Sequence, residues 1–159
     1  MSSAAIQPES SVARTRGVAL LALPGIVGYT LPAIGFLLSL FLPLFASGVR
    51  SRLWPQISPF RSRVWSGLAV AGLWLPALVF LLSSARVGSG ATIWLIIPLC
   101  TPSGSALWVP ALLAITAYLA GLAVSTIVRH PWPWVSGAWV APLAYEAASL
   151  WLVDSQFVC

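Results

Sequence analysis

Glu146 is the residue whose type and surroundings most invite chemistry. It falls in Pro142-Leu-Ala-Tyr145-Glu146, inside a stretch that is otherwise apolar. On insertion scales an acid at the centre of a membrane helix costs ~2.5–3.5 kcal/mol. Its carboxyl must therefore face protein or a wet cavity, protonated or paired. Two roles suit it. One is a proton or cation site, or a polar anchor for a ligand. The other is a neutral carboxyl hydrogen-bonded to a neighbouring helix, which holds packing or assembly together. Ser149 lies at i+3 on the same helical face. Tyr145, Tyr118, Thr116 and Arg86 are the remaining candidate partners.

The other reactive side chains are few. Asp154 ends the same apolar stretch and reads as a solvated boundary. His130, in Arg129-His130-Pro131-Trp132, is the single histidine, so a bis-histidine haem or a histidine-based metal site within the chain is not expected. Cys100 and Cys159 are the two cysteines. They are either bridged, on the oxidising side of a membrane, or free thiols. Their spacing is not C-x-x-C, which argues against a dithiol redox enzyme. There is no phosphate loop, no serine–histidine–acid set and no paired intramembrane carboxylates, so no catalytic residue and no metal ligand is assigned.

The composition dictates the elements that position these groups. Acidic residues number 3 in 159, all 8 basic residues are arginine, and charged residues make up 7% of the chain. A soluble domain carries about 25%. Hydrophobic residues reach 59% and the mean hydropathy is +0.94. Such a chain cannot build an aqueous surface, and a bilayer is the solvent it fits. Nucleic acid is excluded as a partner despite the pI near 10.3, because the arginines stand at the ends of apolar runs, where the positive-inside rule expects them. Membrane lipids are the expected partners, with Arg50, Arg52, Arg61 and Arg63 forming a cytoplasmic loop suited to anionic head groups.

The expected fold is an all-α integral membrane bundle with four transmembrane helices, at about residues 31–49, 64–83, 106–128 and 132–153. Each is long enough for a hydrocarbon layer of ~30 Å, and helix is required because a lipid-facing backbone must satisfy its own hydrogen bonds. Residues 1–16 form a polar tail, 17–153 a single membrane domain and 154–159 a C-terminal tail. Two shorter apolar pieces, 17–28 and 91–99, read as interfacial or re-entrant half-helices. For residues 17–49 one long kinked helix and a tight two-helix hairpin are the rivals. The apolar run that follows Arg14 and Arg16 is too long for a signal peptide, which carries an apolar region of about 7–15 residues.

With four spans, the Arg50–Arg63 connection and Arg129 face Arg14, Arg16 and Arg86 across the membrane. That balance places the Arg50–Arg63 loop inside and both termini outside. The two halves also resemble each other. Ser66-Gly67 aligns with Ser136-Gly137 and Val70-Ala71 with Val140-Ala141, and the same register sets Pro76 against Glu146. A parallel internal duplication and chance matching in an apolar chain are equally compatible with this.

Nine tryptophans are present. Trp54, Trp65, Trp94, Trp108, Trp132 and Trp134 fall near span ends, which suits an interfacial aromatic belt. Trp74, Trp139 and Trp151 fall within spans. Gly67–Gly72 and Ala117–Gly121 carry small-xxx-small spacing suited to close helix packing. The stretch Trp139-Val-Ala-Pro142-Leu-Ala-Tyr145 resembles part of the last helix of the tryptophan-rich sensory protein (translocator protein) family. That family's paired prolines in its first loop are missing from Trp54–Arg61, as is a fifth span, and no site residue is carried over from it.

These features point to a non-catalytic multi-pass protein of a cell inner membrane or an organelle membrane. The leading expectation is an accessory subunit of a respiratory, photosynthetic or transport complex. It would carry no cofactor of its own, while contacting lipid, pigment or quinone alongside other membrane subunits. The alternative is a small transporter or hydrophobic-ligand binder with a central site around Glu146, with an enzyme using Glu146 as acid or base third.

Overall fold

The computed structural model describes residues 8–86 and 108–156. Among them every regular element is helical: α1 Pro8–Thr30, α2 Pro32–Leu40, α3 Leu42–Leu53, α4 Pro59–Arg86, α5 Trp108–Val128 and α6 Trp132–Gln156. The expected piece at 91–99 lies outside the described residues.

The N-terminal third departs from the expected half-helix followed by one span. α1 has 23 residues, about 34 Å at the α-helical rise, because the helix begins at Pro8 and absorbs much of the polar tail. The chain then reverses sharply at Leu31, whose φ of −137° and ψ of 78° leave the helical region. Pro32 opens α2 at the first helical turn, where its missing N–H is not needed. α1 and the following chain run antiparallel. A Cβ on Gly35 would overlap the backbone of Gly28, and one on Gly17 would sit 3.0 Å from Val49. Of the rival readings of 17–49, the hairpin is the one the structure adopts.

The expected span 31–49 is itself divided. Pro43 cannot donate a backbone hydrogen bond one turn back, and the helix breaks at Phe41. There the N–H of Phe41 turns to Leu38 O at 3.2 Å, and that of Leu44 to Phe41 O at 3.0 Å. Ser39, fully buried, braces the break. Its Oγ donates to Phe36 O at 2.7 Å and accepts from Trp74 Nε1 at 2.8 Å. Trp74 also meets Phe36 edge-on, with ring centroids 5.3 Å apart. α2 and α3 thus stack end to end as one broken rod.

Two short connections set the rest. Ser58 caps α4, its Oγ accepting from the N–H of Arg61 at 3.4 Å, as N-cap serines do. Between α5 and α6, Arg129 takes φ 55° and the N–H of His130 reaches back to Ser125 O at 3.2 Å. This is a Schellman ending built without glycine, at a left-handed position that costs a side-chain-bearing residue about 1–2 kcal/mol.

The rods close into a ring in the order α1, α2–α3, α4, α6, α5 and back to α1. The α5–α6 contact is the tightest. A Cβ on Gly121 would lie 2.5 Å from Pro133 O and 2.8 Å from Gly137 Cα, so the Ala117–Gly121 spacing works as expected. Gly67 does not work so: it faces open space, and its aligned counterpart Gly137 is buried against α5. The two hairpins α3–α4 and α5–α6 share one direction, as a parallel repeat requires, but the aligned glycines have unlike surroundings.

Candidate functional site

The interior is built by an uncommon device used twice. On α1, Gly25 lacks a Cβ, so the ring of Tyr118 lies flat against the helix; any side chain there would overlap it. Tyr118 Oη then donates to Leu21 O at 2.6 Å. On α4, the indole of Trp139 covers Gly72 and its Nε1 donates to Leu68 O at 3.2 Å. In each case the accepting carbonyl lies one turn before the glycine. Such a carbonyl has a second lone pair beyond the one used in its helix.

Tyr118 extends this into a relay. Trp134 Nε1 donates to Tyr118 Oη at 2.9 Å, so α6, α5 and α1 are tied by one buried chain ending at Leu21 O. Trp134 in turn stacks on Trp54, centroids 5.6 Å apart and planes 24° from parallel. Both indoles are fully buried. The belt position expected for Trp54 and Trp134 is therefore corrected: they close the floor of the bundle. Trp132, 56% exposed, remains at the periphery.

The opposite part of the bundle holds Glu146. Tyr29, near the C-terminal end of α1, stacks on Tyr145 of α6 with centroids 5.8 Å apart and planes 27° from parallel. It lies within electrostatic reach of Glu146, Tyr118 and Tyr145. Tyr29 Oη and Glu146 Oε1 are both buried and have no hydrogen-bond partner among the described residues. Leaving one such atom bare costs about 1–3 kcal/mol. Glu146 as a residue is half-buried.

Tyr145 and Glu146 are adjacent in sequence, and the structure sets beside them Tyr29, which the sequence reading missed. Its one signal was an aromatic closing an apolar run that ends in glycine. Among the other candidate partners, Tyr118 is committed to Leu21, and Thr116 Oγ1 donates to Leu112 O in its own helix at 2.7 Å. Ser149 lies on α6, but its side chain, like that of Arg86, is outside the described part. Cys100 and Cys159 lie outside the described residues altogether.

The basic residues gather at the end away from Glu146. Arg61 and Arg63 are exposed in the first turns of α4, and Arg50 and Arg52 stand in the last turns of α3. Arg14 belongs there too, its Nη2 donating to Thr126 O near the end of α5 at 2.7 Å. His130 meets Trp65 edge-on at 5.8 Å, and its Nδ1 accepts from the N–H of Trp132 at 3.3 Å. No group of three histidine, cysteine or acidic side chains able to hold a metal occurs among the described residues.

In comparisons with known proteins the chain matches no family model, no curated protein and no solved structure.

Proposed function

We propose that this chain is a multi-pass integral membrane protein whose five rods all cross the bilayer, and that it serves as a non-catalytic subunit of a larger membrane assembly. The observation that carries the reading is the apolar exterior. Serines 39, 62, 66 and 125 are buried beside leucine, alanine and tryptophan, while large apolar side chains face outward. Leu37, Leu44, Phe60, Ile127 and Val128 are 58%, 66%, 76%, 78% and 58% exposed. Water would penalise that exterior by roughly 25 cal/mol per Å² of apolar surface; lipid tails or neighbouring apolar subunits would not.

Length and apolarity support one helix most directly. Val109–Val128 is suited to cross a membrane and is only 28% buried within the molecule, unlike the core helix of a soluble protein. Ile34–Leu44 is a shorter apolar stretch, and its rod gains length by stacking with the rest of α3. α4 and α6, at 28 and 25 residues, measure about 42 and 37 Å.

Arginine placement supports the direction. With α1 as a full rod, Arg14 and Arg16 join Arg50, Arg52, Arg61, Arg63 and Arg129 at one end. That is seven of the eight basic residues, leaving Arg86 at the other. On this reading the N-terminus lies at the arginine end and that end faces the cytoplasm, in place of the outward N-terminus expected with four spans. The subunit role rests on a perimeter apolar on all sides and few ionisable groups. Its test is gentle detergent extraction of the tagged chain from its own membrane, followed by mass spectrometry. A reproducible set of stoichiometric membrane partners is the expected result, whereas a monodisperse homomer with no partners would refute the role.

A further inference from the structure

We propose that Tyr29, Tyr145 and Glu146 form a binding site, between the end of α1 and α6, for an apolar amine in its ammonium form. Three features combine. Glu146 Oε1 and Tyr29 Oη are buried oxygens with nothing to bond among the described residues, and both can accept a hydrogen bond. Tyr29 and Tyr145 add two stacked aromatic rings beside the carboxyl, and such rings attract cations over their faces. Seven of the chain's eight arginines stand at the other end of the bundle; the eighth, Arg86, closes α4 and its side chain lies outside the described residues.

The chemistry of the missing partner follows from that inventory. A carboxylate oxygen only accepts, so its partner must donate. An ammonium brings three donors and a positive charge, enough to bridge Glu146 and the Tyr29 hydroxyl together. A neutral alcohol brings one donor and no charge, and a carboxylic ligand would be repelled. Leu143 and Ile26, one turn before Glu146 and Tyr29, are 54% and 37% exposed and offer apolar rim to the ligand's hydrocarbon part. Glu146 and Tyr29 are each only half-buried as residues, while the two oxygens are themselves covered, so the ligand enters as these side chains turn. The site goes beyond the role of subunit and stands on α1–α6 geometry alone, whatever surrounds the perimeter.

The test uses the full chain in nanodiscs of zwitterionic phosphatidylcholine, with empty nanodiscs subtracting partition into lipid. The probes are 4-phenylbutylamine and its neutral counterpart 4-phenylbutanol, measured by calorimetric titration. Saturable amine binding, at least about tenfold tighter than the alcohol, is expected. Glu146→Gln, similar in shape, should bring the amine down to the level of the alcohol. Tyr29→Phe should weaken the amine several-fold and leave the alcohol less affected. Thermal unfolding of both variants within a few degrees of the parent shows that the fold is intact. Partition without saturation, equal affinity for amine and alcohol, or an unchanged amine affinity in Glu146→Gln would each overturn the proposal. Because no partner subunit enters this experiment, its failure leaves the subunit reading standing.

Discussion

At the scale of single residues, the decisive contrast is between two tyrosines. Tyr118 Oη both receives Trp134 Nε1 and donates to Leu21 O, whereas Tyr29 Oη is buried with no partner. Removing each hydroxyl should therefore have opposite outcomes. Tyr118→Phe strands a buried indole N–H and a carbonyl lone pair and should cost about 1–3 kcal/mol. Tyr29→Phe discards an unsatisfied group and should leave stability unchanged or slightly raised in the absence of ligand. Thermal unfolding of the two variants in one detergent checks this; equal losses would mean the relay is not holding the helices. Gly25→Ala tests the same contact from the other side, since its methyl would overlap the Tyr118 ring. Overpacking of that kind costs about 1–3 kcal/mol, and the unfolding midpoint should fall to match.

At the scale of elements, glycine placement separates contact faces from outward faces. Gly35 lies directly on the Gly28 backbone, while Gly67 meets nothing. Gly35→Ala should force α1 and α2 apart and destabilise the hairpin, and Gly67→Ala should be neutral or mildly stabilising, since alanine is the better helix former by about 1 kcal/mol. Denaturation of the pair in mild detergent separates the two cases; matching losses would show that the α1–α2 contact is misplaced. The break at Phe41 follows from Pro43 together with the Ser39–Trp74 bond. Ser39→Ala removes the acceptor for Trp74 Nε1 and should loosen α2 against α4, visible as faster amide exchange around residues 36–44. Exchange no faster than in the parent would show that the bond does not brace the break.

At the scale of the whole molecule, the ring order and the arginine end make one joint claim: residues 8–16 and the 54–58 connection share a side of the membrane, and residue 30 lies on the other. In a background lacking Cys100 and Cys159, Ser10→Cys and Ser58→Cys should resist a membrane-impermeant maleimide in intact cells and react once the membrane is opened. Thr30→Cys should react without opening. Labelling that puts positions 10 and 58 on opposite sides would break the five-rod arrangement, however well the individual helices form.

Composition alone fixed the helical character and the suitability for lipid, because so few charged residues cannot clothe a water-facing surface. The helices α4, α5 and α6 fall close to their expected ranges, since continuous apolar runs bounded by proline and arginine mark their ends. Glu146 stood out for the same reason: a charge inside an apolar run is conspicuous in one dimension. Tyr29 did not stand out, because its role depends on a helix a hundred residues away. The N-terminal hairpin was hidden as well. A reversal at a single leucine leaves the apolar run unbroken, and only the contact of Gly28 with Gly35 and of Gly17 with Val49 decides between one long helix and a hairpin. Likewise the burial of Trp54 and Trp134 was settled by packing, since an indole near a span end can lie in the interface or turn inward, and only a partner ring stacked across from it determines which.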